Sequence, residues 1–300
     1  MNSEILNQEF GIEGHISFRD INEDTVVVDV SSQHSRASIV MQGAHLIHWQ
    51  PVDCGNPVIW LSQDARFVRG KSIRGGIPVC WPWFGPHESE AHFPAHGYAR
   101  TVDWELLSSK LADDERVELQ FRLIDNDHSR SLWPYACECR LHFIIGKTLK
   151  VSLTTDNQDK QAFVLGEALH TYFAISDIEH VQLTGLGDCA YYDKVADNRG
   201  RQQGAIRFGG ETDRVYMNTG ASCVIEDADW QRNIIINKSA SQSTVVWNPW
   251  QAKAEDMGDL GRDGWRRMLC VESANAMDNR LTLAPGESHT LLVEYVVENR

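Results

Sequence analysis

The chain of 300 residues carries 42 acidic against 28 basic side chains, a formal net charge of −14, with 42% hydrophobic and 23% charged residues. That balance is ordinary for a globular protein with ample material for a core. It excludes nucleic acid and anionic membranes as main partners, since both need a basic footprint, but leaves open a small anionic ligand that needs only a local cationic pocket.

The N-terminal run MNSEILNQEFGIEG has neither a basic nor an apolar signal region, and no stretch approaches the roughly 18 uncharged apolar residues of a membrane helix. From there the dominant pattern is strand: residues 24–30, 37–49, 117–124, 138–155, 161–175, 243–250 and 290–297 are rich in Val, Ile, Leu, Thr and aromatics, several alternating apolar with polar positions. Turn signals separate them at Asp125–Asn126–Asp127, Asn157–Gln158–Asp159, Asn198–Arg199–Gly200 and Pro285–Gly286. Residues 103–115 and 251–260 could hold short turns of helix at most. With no internal repeat and no low-complexity linker, the expectation is all-β, one sandwich spanning residues 1–300. The 7 cysteines are odd in number and irregularly spaced, a poor disulfide framework. They read as small buried hydrophobes, which points to a reducing, cytoplasmic setting. The 10 tryptophans fill a large core, and any that face a concave sheet surface suit the C–H face of a sugar ring.

Residues 66–86, RFVRGKSIRGGIPVCWPWFGP, are the least ordinary stretch. Arg66, Arg69, Lys71 and Arg74 stand against Asp64 alone, a cationic island in an acidic protein. Arg66, Arg69 and Lys71 read as exposed. Arg74 precedes Gly75–Gly76, which permits close approach to a ligand, so its planar guanidinium is a candidate anion clamp. Next, HGYAR brings His96 and a second arginine, Arg100. GEALHTYF places His170 in a strand pattern. Its ordinary pKa near neutrality suits a general acid, and Glu167 points to the opposite face. ETDRVY offers Asp213, Arg214 and Tyr216 for sugar hydroxyls. MLCVESA ends an apolar run on Glu272, a carboxylate read as a general base at a groove rim. His45 and His48 lack a third metal ligand, and no metal, nucleophile-elbow or phosphate-loop signature is present.

In this order, IRGGIPVCWPWFG, AHGYAR, ALHTYF, ETDRVY, VVWNPW and MLCVESA resemble the hexose-6-phosphate mutarotases (glucose-6-phosphate 1-epimerases), a branch of the aldose 1-epimerase family, over residues 25–297. The resemblance implies a galactose-mutarotase-like β-supersandwich and a cofactor-independent isomerase that interconverts the α and β anomers of a hexose 6-phosphate. It implies His170 and Glu272 as the catalytic pair, Arg74 and Arg100 at the phosphate, and Asp213 on the sugar. Some members carry a ligand-contacting Gln directly before the HG pair. Ala95 stands there in this chain, so that contact is missing or supplied elsewhere, His96 being the adjacent candidate. Two other readings compete: an aldose 1-epimerase of free sugars, against which the cationic island and the RGG…HGYAR pair speak, and a non-catalytic carbohydrate-binding module, which would need neither acid nor base. The oligomeric state is open, a monomer being compatible.

Overall fold

The computed structural model describes residues 2–300, and strands dominate it. A nine-stranded antiparallel sheet runs Ile206–Arg207, Val181–Thr184, Cys223–Asp227, Arg232–Ser239, Ser288–Asn299, Leu149–Asn157, Cys137–Ile145, Val117–Leu123, Trp104–Leu111. Facing it is an eight-stranded sheet in the order Asn198–Arg201, Ala190–Asp193, Thr212–Met217, Ser243–Asn248, Met268–Asn275, Glu167–Leu169, Val79–Cys80, with Tyr172–Ala174 also on Met268–Asn275. A four-stranded sheet from Ile16–Asn22 to His45–Pro51 and a short two-stranded ribbon complete the sheets. Among the described residues no helix is long and apolar enough to cross a membrane.

Alternation builds the core. Val117–Leu123 and Leu149–Asn157 bury every second residue, so Leu119, Phe121, Val151 and Leu153 form one apolar face. Leu291, Val293 and Tyr295 of the neighbouring strand join it. Each such side chain contributes roughly 1.5–3 kcal/mol on burial. The two large sheets are stitched by polar contacts as well: Trp81 Nε1 donates to Thr155 Oγ1 (2.9 Å), and the hydroxyls of Thr171 and Tyr295 meet at 2.6 Å. The central strand Met268–Asn275 is buried at every position. One of its faces packs into this core. The other meets a smaller cluster of Cys80, Ala168, Val215, Val245 and Ala274.

Several local expectations are corrected. The region expected to hold helix at 103–115 is the strand Trp104–Leu111, because Trp104 and Leu106 alternate into the core. Helix does form at Trp250–Glu255. Two further helices, Ser3–Phe10 and Asp127–Leu132, went unanticipated. The second starts at a predicted turn: the Asn126 side chain accepts the Ser129 N–H and the Ser129 hydroxyl returns to the Asn126 N–H, so a turn-favouring residue is used as a cap. Asn198–Arg199–Gly200 lies within a strand rather than at a turn. The apolar runs 37–49 and 138–155 each fold back as two strands, and 161–175 breaks into Phe163–Leu165, Glu167–Leu169 and Tyr172–Ala174.

Candidate active site

Antiparallel register brings the functional side chains to one sheet face. Asp213 lies opposite Trp247, Trp247 opposite Cys270, Tyr172 opposite Cys270, and Val245 opposite Glu272. Directly paired residues share a face, and alternate residues return to it. Asp213, Val245, Trp247, Cys270, Glu272 and Tyr172 therefore point the same way. The same alternation sends Arg214 and Tyr216 off the site. Arg214 pairs with Asp193 at 2.8 Å, and the buried Tyr216 hydroxyl donates to Gln202. Of the ETDRVY trio only Asp213 reaches the cavity. Glu167 faces the core, where its carboxylate accepts from Asn275 (2.9 Å) and His289 (3.0 Å).

Two loops close the site over that face. Gly75 and Gly76 have φ of +108° and +72°, and a Cβ on Gly76 would stand 2.4 Å from the Leu46 carbonyl oxygen. The pair does allow close approach, but to the protein's own backbone rather than to a ligand. His45 locks the crossing through Nε2 to the Gly75 carbonyl (2.8 Å), and burial drives its pKa down to about 4. The HGYAR turn docks likewise: a Cβ on Gly97 (φ +71°) would overlap the Trp81 carbonyl oxygen at 1.9 Å.

The result is a cavity of about 260 Å³ lined by Arg74, Phe84, His96, Arg100, His170, Tyr172, Lys194, Asp213, Val245, Trp247 and Glu272. His170, Glu272, Arg74, Arg100, His96 and Asp213 are all there. At just below the roughly 300–1,000 Å³ usual for ligand pockets, it suits one sugar ring rather than a chain. Four larger grooves on the molecule carry no buried titratable side chain.

At its floor, His170 Nε2 lies 3.3 Å from Glu272 Oε1. Glu272 sits mid-strand rather than at a strand end, only 1% exposed, and its Oε2 has no protein partner. His170 stands at the break between two short strands, its N–H held by the Pro78 carbonyl (3.0 Å) and its ring stacked on Tyr172 (4.9 Å). Burial pushes the Glu272 pKa well above the usual carboxylate range and the His170 pKa well below neutrality, the latter aided by His96 and Arg100. In the free site burial thus works against the imidazolium that a general acid at His170 needs. Desolvation favours the neutral forms, imidazole beside carboxylic acid, over the ion pair, and either form holds one shared proton. His96 is also neutral: burial first, then Arg100 and Lys194, take its pKa to about 3. Its Nδ1 accepts the Gly85 N–H at 3.3 Å, which leaves the proton on Nε2 as a donor.

The cationic island is partly neutralised in three dimensions. Arg69 pairs with Asp103 (2.6 Å), Arg66 donates to the Gly258 carbonyl (3.0 Å), and Arg74 donates to Asp259 (3.0 Å) and to the Tyr172 hydroxyl (3.1 Å). Burial opposes the Arg74 charge, but Tyr172 and Asp259 outweigh it and hold its pKa above the usual value. Arg100 donates to the Ala95 carbonyl (2.8 Å), so the residue where some relatives place Gln serves through its backbone. Sequence reasoning missed Phe84, Asp259 and Lys194. A lone lysine following a strand and an aspartate in a Gly-rich loop carry no local signal. Of the tryptophans, Trp247 lines the cavity, while Trp81 and Trp104 are buried. All 7 cysteines are free.

Residues 26–296 match the aldose 1-epimerase family. The chain is 38% identical over 277 residues to an Escherichia coli K12 protein provisionally named glucose-6-phosphate 1-epimerase, covering 91% of each chain. It superposes on the crystal structure of a provisionally named mutarotase from Salmonella typhimurium with a TM-score of 0.90, at 33% identity, covering 99% of this chain and 100% of that one. A galactose mutarotase-like protein from Clostridium acetobutylicum, at 15% identity and a TM-score of 0.70 over 95% and 98% of the two chains, shares the fold.

Proposed function

The chain belongs to the aldose 1-epimerase family, and from that premise we propose that it interconverts the α and β anomers of hexose 6-phosphates, glucose 6-phosphate among them. The observation that carries the reading is the buried His170–Glu272 pair, 3.3 Å apart at the floor of a sugar-sized cavity rimmed by arginines. The name of the Escherichia coli relative supports the phosphorylated substrate.

Anomer exchange needs a base to take the proton of the C1 hydroxyl and an acid to protonate the ring oxygen. The C1–O5 bond then breaks and C1 becomes an aldehyde. Rotation about C1–C2 exposes its other face, and the reverse transfers close the ring. Glu272 is the base and His170 the acid, each worth roughly 10²–10⁴-fold. The acid–base form, carboxylate plus imidazolium, holds the same single proton as the neutral pair. A shift from Glu272 to His170 along their contact generates it without exchange with solvent. Asp213 accepts a sugar hydroxyl, His96 donates to the ligand, Trp247 walls the ring, and Arg74 and Arg100 face the 6-phosphate.

The test is anomer exchange by NMR on glucose, glucose 6-phosphate and galactose 6-phosphate in parallel, for the wild type and Arg100→Ala. The wild type favours the phosphorylated sugars, and the variant loses about ten- to hundredfold of that preference, as a charge-assisted hydrogen bond predicts. Equal losses on glucose and glucose 6-phosphate would refute the phosphate role.

A further inference from the structure

A phosphate dianion entering this cavity needs cations free to turn toward it, and the two arginines supply fewer than their number suggests. Arg74 is held by the Asp259 carboxylate and the Tyr172 hydroxyl. Arg100 forms no ion pair among the described residues, and its buried Nε has no protein partner. One arginine is therefore free and one is engaged.

Lys194 lines the same cavity. It follows the strand Ala190–Asp193, and its backbone N–H donates to the Asp213 carbonyl at 2.8 Å, which fixes where the side chain starts. The stem carries the ammonium over the Phe84 ring, 5.0 Å from its centroid. Nζ then lies 3.5 Å from Asp213 Oδ1 with the side chain 32% exposed. That separation exceeds the roughly 2.7–2.9 Å of a tight charge-assisted hydrogen bond, so the pair is loose and open to exchange. Burial raises the Asp213 pKa while Lys194 opposes the rise. The Lys194 and Arg100 charges also act together on His96, so both belong to the field a ligand meets.

Resting on the hexose 6-phosphate reading, we propose that Lys194 is a third substrate-binding cation that exchanges Asp213 for the ligand's phosphate and so frees the Asp213 carboxylate for a sugar hydroxyl. The exchange couples the two ends of the substrate. A phosphorylated sugar releases Asp213 as it docks, whereas a free hexose meets a carboxylate already engaged. Lys194 is therefore a specificity residue that acts against unphosphorylated sugars as well as for phosphorylated ones.

Lys194→Met keeps the stem over Phe84 and removes the charge. Its preference for glucose 6-phosphate over glucose, as the ratio of kcat/KM values, falls about ten- to hundredfold, with the change in KM for the phosphorylated sugar rather than in kcat. Lys194→Arg restores most of the preference, and serves as the reference if the Met variant folds poorly. A Met variant with undiminished preference, or one that weakens both sugars equally, overturns the role of Lys194. If Arg100→Ala still lowers the preference, the site reading survives that loss. A wild-type enzyme with no preference for the phosphorylated sugar overturns both.

Discussion

Replacing Glu272 by Gln separates catalysis from folding. The side chain is 1% exposed, and burial holds it toward the neutral acid. Gln has the same shape and the same absence of charge, so the hydrogen-bonded contact with His170 survives while the base is lost. A base worth roughly 10²–10⁴ in rate corresponds to about 3–5 kcal/mol of barrier. Stability moves differently. In the unfolded chain an ordinary Glu, with its pKa of 4.5, is ionised at neutral pH, whereas burial in the folded chain favours the protonated form. The folded state binds more protons, so wild-type stability falls as pH rises above that value toward the raised folded pKa. Glu272→Gln escapes this loss, and its melting temperature, equal to the wild type in mild acid, exceeds it increasingly toward pH 8. Two-dimensional exchange NMR of glucose 6-phosphate anomers, corrected for spontaneous exchange, reads the rate, and thermal melts across pH read the fold. A folded Gln variant within tenfold of wild-type kcat/KM refutes the role of Glu272. A variant that loses rate and melting temperature together refutes the account of a carboxyl held neutral by burial.

The shared proton also predicts the pH profile of kcat/KM, which reports the groups of the free site. The pair gains a second proton only well below the ordinary His value of 6.5 and loses its last only well above the ordinary Glu value of 4.5, so burial widens the active range at both ends. A rate that halves near pH 6.5 on the alkaline side contradicts it. His289 is a stability switch of the same sign as Glu272. Burial lowers its pKa, but the Glu167 hydrogen bond and charge prevail and raise it. Its contribution is complete below the unfolded value of 6.5 and is lost as pH rises through the higher folded one. The melting-temperature gap between wild type and His289→Gln accordingly shrinks with rising pH, and a constant gap refutes the coupling.

The sequence by itself determined the strand-rich fold, because period-two alternation in runs such as 117–124 is a property of neighbouring residues and needs no distant partner. Its ordered motifs also pointed to His170, Glu272, Arg74, Arg100, His96 and Asp213, which the fold gathers around one cavity. Turns and caps were less legible, since Asn126 serves either equally well. Electrostatics belonged to the tertiary structure. The arginines between positions 66 and 74 read as a cationic island until Asp103 and Asp259, far along the chain, came to face Arg69 and Arg74. Only folding removed water from Glu272 and His170, and desolvation rather than residue type decides which protonation state each holds. The same is true of Lys194: it stands after strand Ala190–Asp193, and only the pairing of that strand with Thr212–Met217 sets it beside Asp213 at the cavity mouth. Charge and protonation depend on what lies within a few ångströms in space, and for these residues the partner stands from 19 positions away, for Lys194 and Asp213, to 185, for Arg74 and Asp259.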